Sequence, residues 1–119
     1  MDLHAALKEP LTIPPLGRVL VPTGLSVAIP DKFEAQVRPR SGLAARSGVT
    51  ILNTPGTIDS DYRGEIQVLL VNLSDAPVTL LPLDRIAQLV FAQVARAELA
   101  LVDVLEDSLR GLGGYGSTG

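Results

Sequence analysis

Apolar positions along this chain come in short runs that change phase every few residues. From Phe33 to Arg38 they alternate with polar ones, the two-residue period of a half-buried strand. Further candidate strands lie near 17–21, 25–29, 49–52, 65–71, 78–81, 85–91 and 98–103. The run 65–71 places Ile66, Val68 and Leu70 on one face and Leu69 and Val71 on the other. Apolar residues on both faces predict burial on both sides, in a sandwich or at a subunit contact. Residues 85–92 fit either a helix or a strand, and their β-branched residues and crowded flanking turns favour strand. Proline and glycine punctuate the first third at Pro10, Pro14, Pro15, Gly17, Pro22, Gly24, Pro30 and Pro39. Many short strands with frequent turn signals predict a single all-β domain, a sandwich or jelly roll. No internal repeat or dividing linker is visible.

The end of the chain differs. Residues 110–119 read Arg-Gly-Leu-Gly-Gly-Tyr-Gly-Ser-Thr-Gly, half of them glycine. Such a segment holds too few apolar groups to fold alone, and is expected to be mobile until something orders it. An arginine, an aromatic ring and two hydroxyls among the glycines suit closure over an anion that carries a flat ring. The chain therefore divides into a β domain, 1–109, and a closing tail, 110–119.

Composition narrows the chemistry. The chain has 119 residues, is 46% hydrophobic and has a mean hydropathy of +0.31, much apolar surface for one small core. Self-association is the natural outlet. Cysteine is absent and His4 is the only histidine, which excludes disulfides, thiolate metal sites and a multi-histidine zinc site. Net charge is −3, against a general nucleic-acid surface. Neither a spanning apolar run nor a signal peptide is visible, so no membrane role and a cytoplasmic location are expected. Eight of the ten cations are arginine, the better fork for phosphate oxygens, although genome composition produces the same bias.

Three stretches carry candidate chemistry. Arg38-Pro39-Arg40-Ser41-Gly42-Leu43-Ala44 sets cations, a hydroxyl and a glycine in an expected turn after a strand, where arginine forks and backbone N–H groups suit phosphate. Short basic turns usually only solvate a loop. Asn53-Thr54-Pro55-Gly56 is turn chemistry, expected to make a hairpin between 49–52 and 65–71. The following Asp59 and Asp61 suit acid/base or metal roles, with at most one expected to face a given site. A polar loop whose aspartates bond their own backbone is the simpler local reading. Asp84-Arg85-Ile86-Ala87-Gln88-Leu89 opens a strand and is unremarkable in isolation.

Taken in order, these stretches resemble the five-motif pattern of the trimeric dUTPase family. Arg38–Ala44 resembles motif two, Asn53–Ile66 motif three, Asp84–Leu89 motif four and Arg110–Gly119 motif five. The likeness runs from about residue 11 to the end. It implies a dUTPase-like β jelly roll, a homotrimer with shared active sites, and Mg²⁺-dependent hydrolysis of dUTP to dUMP and pyrophosphate by attack of water on the α-phosphorus.

The same resemblance implies residue roles. Asp59 would orient and deprotonate the water. Asn53, with the backbone of Thr57, Ile58 and Gln67, would read uracil. Tyr62 would lie against the deoxyribose. Arg40, Ser41, Gly42 and Gln88 would hold the triphosphate and Arg110 the γ-phosphate. Tyr115 would stack on the base, beside Gly116, with Ser117 and Thr118 adding phosphate contacts. Arg46, Asp61 and Arg63 are assigned to salt bridges or subunit contacts.

Motif one departs from the pattern. The chain begins Met1-Asp2-Leu3, as if inside that motif and without its usual preceding strand, and is expected to be truncated or to have a misassigned start. Asp2 matches the aspartate that holds the metal through water. Two rivals share parts of the pattern, a dCTP deaminase-type relative and a catalytically silent nucleotide-binding homologue. The run Ile58–Gly64 favours dUTPase over the first, and the intact motifs two to five argue against the second.

Overall fold

The structure, a computed structural model, describes residues 1–114. Nine strands and one short helix follow in the order β1 (Asp2–His4), β2 (Leu11–Ile13), β3 (Arg18–Pro22), β4 (Phe33–Arg38), α1 (Ser41–Ser47), β5 (Val49–Ile51), β6 (Gly56–Ile58), β7 (Gln67–Asn72), β8 (Val78–Leu80) and β9 (Arg85–Gln93). They form a four-stranded sheet β1-β9-β4-β6, a three-stranded sheet β3-β7-β5 and a two-stranded ribbon β2-β8. Every pairing is antiparallel.

The alternation in β4 and β7 decides what lies inside. Ala35 and Val37 from β4, with Ile86 and Leu89 from β9, meet Val68 and Leu70 from β7 and Val49 and Ile51 from β5 in one core. Each large aliphatic side chain buried there contributes about 1.5–3 kcal/mol. Val71, on the other face of β7, is only 7% exposed, and Leu69 is half-buried, as the two-sided run predicts. No helix among the described residues is long and apolar enough to cross a membrane.

Four local expectations change. Residues 25–29 form no strand: Pro22, Pro30 and a left-handed Gly24 bracket them, and Leu25 joins its neighbour only by accepting the Ile66 N–H at 2.8 Å. Ile29 is buried all the same, so the apolar alternation marks core contact rather than a ladder. Residues 98–103 are also not a strand; nothing among the described residues pairs with them. The basic stretch after β4 is the helix α1 rather than a turn, ended by Gly48 at φ 66, whose N–H reaches the Ala44 carbonyl at 2.9 Å. Finally, Asn53–Gly56 does not turn β5 directly into β7. Thr54–Pro55 is cis, and the chain crosses to the other sheet, where β6 pairs with β4, before returning to pair β7 against β5.

One buried polar side chain ties three pieces of this fold. Asn72, with no exposure, donates to the Ile13 carbonyl at 3.0 Å and the Ala76 carbonyl at 2.8 Å. Its Oδ1 accepts from the Ser74 N–H at 2.9 Å and the Ser74 hydroxyl at 2.7 Å. Asn72→Ala strands the buried Ile13 carbonyl, so denaturant unfolding at fixed protein concentration should show a loss of about 2–4 kcal/mol. A loss below about 1 kcal/mol would contradict this role.

Candidate functional site

β4 positions two groups of candidate residues, one near each of its ends. At its C-terminal end Arg38 lies opposite Gln88 of β9, and Gln88 lies opposite Asp2 of β1. Two residues on, Arg40 caps α1 with an extended backbone. Its guanidinium is 3.9 Å from the Asp2 carboxylate and donates to the Arg85 carbonyl at 3.0 Å. Arg85 reaches the other Asp2 oxygen at 3.4 Å, and the Gln88 amide reaches Asp2 Oδ1 at 3.4 Å. Asp2, Arg40 and Gln88, predicted from three separate motifs, are thus brought together, with Ser41 and Gly42 in the first turn of the adjoining helix, where N–H groups lack intrahelical partners.

Arg85 is the member that sequence reasoning missed. Residues three apart on a regular strand point to opposite faces. The register shifts between Leu3 and His4, so that His4 lies opposite Arg85 and Leu3 opposite Ala87. The bulge leaves Ile86 and Ala87 consecutively buried and turns both Arg85 and Gln88 toward Asp2. Nothing in the local sequence announces it.

At the N-terminal end of β4 the pairing Ala35–Ile58 brings Asp59 beside Glu34. There Asp59 and Asp61 line a cleft of about 510 Å³ with Asp31, Lys32, Glu34 and Arg96. Both aspartates line it, contrary to expectation, because the chain turns at Ser60 and Asp61, with the Tyr62 N–H donating to the Asp59 carbonyl at 3.2 Å. Thr57 pairs with Gln36, Ile58 packs on the core, and Asn53 lies near Gly56 in the preceding loop. Tyr62 is 43% exposed, and its hydroxyl donates to the Glu65 carbonyl at 2.9 Å. Gln67 opens β7 beyond it and is exposed.

Among the described residues Arg63 makes no ion pair. It braces its own loop by donating to the Ser60 carbonyl at 2.7 Å and the Tyr62 carbonyl at 2.8 Å. Arg46 lines a smaller pocket with Arg40 and Arg85. Arg110 donates to the Gly113 and Gly114 carbonyls at 2.9 and 3.3 Å. Tyr115, Gly116, Ser117 and Thr118 lie outside the described residues.

The level of Glu34 and that of Arg38 are four residues apart along β4, roughly 13 Å. Asp59 therefore stands well beyond hydrogen-bond reach of an anion held by Arg40 and Gln88 of its own chain.

Comparison with known proteins gives a consistent picture. A sequence-family profile described as dUTPase matches residues 2–119. The dUTPase of Staphylococcus bacteriophage 80alpha with dUpNHpp superposes with a TM-score of 0.89 at 25% identity, over 99% of this chain and 84% of that one. A variant of the phage phi11 enzyme, described with a structural Mg(II) ion, superposes with a TM-score of 0.79 at 21% identity, over 89% and 84% of the two chains.

The cluster at Asp2 has a measurable signature. The Gln88 amide hydrogen bond, then the Arg85 hydrogen bond and the charges of Arg40 and Arg85, hold its carboxyl below the ordinary aspartate value of 3.8, against a smaller opposing effect of burial. A depressed acid stabilises the fold above its unfolded pKa, and that contribution disappears as pH falls through the folded one. In metal-free protein, carboxyl NMR should place the Asp2 midpoint below 3.8. Gln88→Ala should move it up; an unmoved midpoint would mean that the amide does not hold the carboxylate.

Proposed function

The chain belongs to the dUTPase family and hydrolyses dUTP to dUMP and pyrophosphate, and we propose that it does so at sites assembled between protomers of a homotrimer. The observation that carries this reading is the distance along β4 between Asp59 and the Arg40–Gln88 cluster. A substrate held by that cluster needs a nucleophile from elsewhere, and an identical chain can supply it.

In the assembled site Arg40, the first-turn N–H groups of Ser41 and Gly42, and Gln88 hold the triphosphate of dUTP from one protomer. The loop of a second supplies Asn53, whose amide offers uracil both a donor and an acceptor, with the backbone of Thr57, Ile58 and Gln67 along the same edge. Cytosine presents the wrong donor pattern and would leave buried groups unpaired. Tyr62 lies against the deoxyribose, where a 2′-hydroxyl clashes. Asp59 orients a water and takes its proton as the new bond forms between the water oxygen and the α-phosphorus. The bond from that phosphorus to the bridging oxygen breaks, and pyrophosphate leaves. The tail of a third protomer closes the site, with Arg110 on the γ-phosphate, Tyr115 and Gly116 over the base, and Ser117 and Thr118 on phosphate oxygens.

Mg²⁺ fits this donor set in one way. Among the described residues no group of three or more His, Cys, Asp or Glu side chains could hold a metal. Asp2 stands as a single carboxylate beside the anion-binding arginines, suited to hold the ion through water while phosphate oxygens ligate it directly. When bound, the ion neutralises charge on the triphosphate.

Two further features support self-association. Leu20, Leu52 and Phe91 are 52%, 46% and 50% exposed on the strands and loops of the β domain. Beyond β9, Leu99, Leu101, Val104, Leu105 and Leu109 are all more than 80% exposed on a segment with no helix or strand of its own. That much apolar surface is expected to be covered.

Pyrophosphate release from dUTP, rather than ammonia release from dCTP, is the expected activity. Asp59→Asn should lower kcat by about a thousandfold with little change in binding of a non-hydrolysable dUTP analogue. Arg40→Ala should be equally poor, through lost phosphate binding. Co-refolding the two inactive variants should regenerate sites that take Arg40 from one chain and Asp59 from the other. Activity clearly above the sum of the separate variants, from a species sedimenting at three times the chain mass, is the expected result. No recovery from a mixed trimer would exclude shared sites.

A further inference from the structure

Gly64 is a glycine that its own backbone does not require. Its φ is not left-handed, so an L side chain is conformationally acceptable there. Space is what forbids one. A Cβ at Gly64 would lie 2.6 Å from Cζ and 3.0 Å from Cε2 of Tyr62, and closer still to the phenol oxygen. Ordinary contact begins near 3.4 Å, so the ring would have to retreat by about 0.8 Å at Cζ. The ring is folded back over the glycine two residues after it.

The far end of that ring is tethered. The phenol donates to the Glu65 carbonyl at 2.9 Å. Glu65 is pinned in turn, its carboxylate accepting the Gly24 N–H at 2.7 Å. The next residue, Ile66, is fully buried, donates to the Leu25 carbonyl at 2.8 Å and accepts from the Thr23 hydroxyl at 2.6 Å. Arg63 turns back to the Ser60 and Tyr62 carbonyls. A ring whose tip lies against a bare backbone and whose hydroxyl bonds an anchored carbonyl has little freedom to tilt.

We propose that Gly64 is a positioning residue for Tyr62: its missing side chain lets the ring lie back and fixes the wall that discriminates 2′-deoxyribose from ribose. The inference rests on the reading of Tyr62 as the surface against the sugar. Gly64 touches no substrate and acts only through the ring. A methyl at this position pushes the ring off its carbonyl tether, and a displaced wall no longer meets a 2′-hydroxyl at a fixed distance.

The test is a double-mutant cycle read as the ratio of kcat/KM for dUTP to that for UTP. Wild type, Gly64→Ala, Tyr62→Ala and the double variant are compared, with Tm and trimer mass recorded for each. Tyr62→Ala alone should lower the ratio; if it does not, the reading of Tyr62 as the sugar wall fails, and this inference with it. Given that loss, Gly64→Ala should lower the ratio by about tenfold in the wild-type background and by less than about twofold once the ring is gone. An unchanged ratio in Gly64→Ala, or an equal loss with and without the ring, overturns the positioning role while leaving the reading of Tyr62 intact. Should Gly64→Ala also lower Tm, the double variant, which lacks the ring that the new methyl meets, should show no such drop relative to Tyr62→Ala alone. A Tm that stays low would show that something other than the ring occupies that space.

Discussion

The structure depends first on the register of β4. This one six-residue strand pairs with β9 on one side and β6 on the other, and those pairings decide which chemistry-bearing residues can meet. Pairing of Arg38 with Gln88 assembles the arginine-rich cluster near one end, and pairing of Ala35 with Ile58 sets Asp59 at the other. A shift of one residue would turn Ala35 and Val37 out of the core and put Glu34 and Gln36 into it, so the hydrophobic effect holds the register. The separation of Asp59 from that cluster therefore follows from core packing. A chain that buries this alternation in this way leaves Asp59 and the Arg40–Gln88 cluster apart.

Asp2 shows how little is needed to complete the arginine-rich cluster. It lies at the start of a three-residue edge strand, yet one carboxylate meets the side chains of Arg40, Arg85 and Gln88. Its ion pairs are long and partly exposed, so they contribute little stability in water. Their value is geometric: two guanidiniums and an amide are held on one point by a single carboxylate. The bulge in β9 is what makes that convergence possible, because a regular strand would send Arg85 away from Gln88.

What the sequence made legible follows from where local pattern and tertiary demand agree. β4 was readable to the residue, because Phe33, Ala35 and Val37 alternate cleanly and the strand is central. The segments 25–29 and 98–103 carry apolar residues of similar quality but lack a strand partner among the described residues, and a strand is defined by its partner. Helix α1 was hidden because Ser41-Gly42 reads as a turn, whereas Leu43, Ala44 and Ala45 continue it as a helix. Of the candidate site, the identities of Asp2, Arg40, Gln88, Asn53, Asp59 and Tyr62 came from ordered motifs, and no single one of those motifs was persuasive alone. Arg85 was not readable, because a bulge changes facing without changing residue type.

The loop from Asp59 to Ile66 shows the same logic at smaller scale. Two carbonyls are taken up by Arg63, one by the Tyr62 N–H and one by the Tyr62 hydroxyl. The loop thus satisfies much of its own backbone and needs the rest of the protein chiefly at its far end, where Glu65 and Ile66 dock on residues 23–25. That makes residues 23–25, which form no strand, the base on which Tyr62 is mounted. The alternation that suggested a strand there was recording a different duty: Val27 and Ile29 pack on the core. The backbone from Thr23 to Leu25 stays free to receive the loop. Had that backbone been paired into a ladder, its N–H and C=O groups would have been spent on a neighbouring strand, and the loop carrying Asp59 and Tyr62 would have lost its anchor.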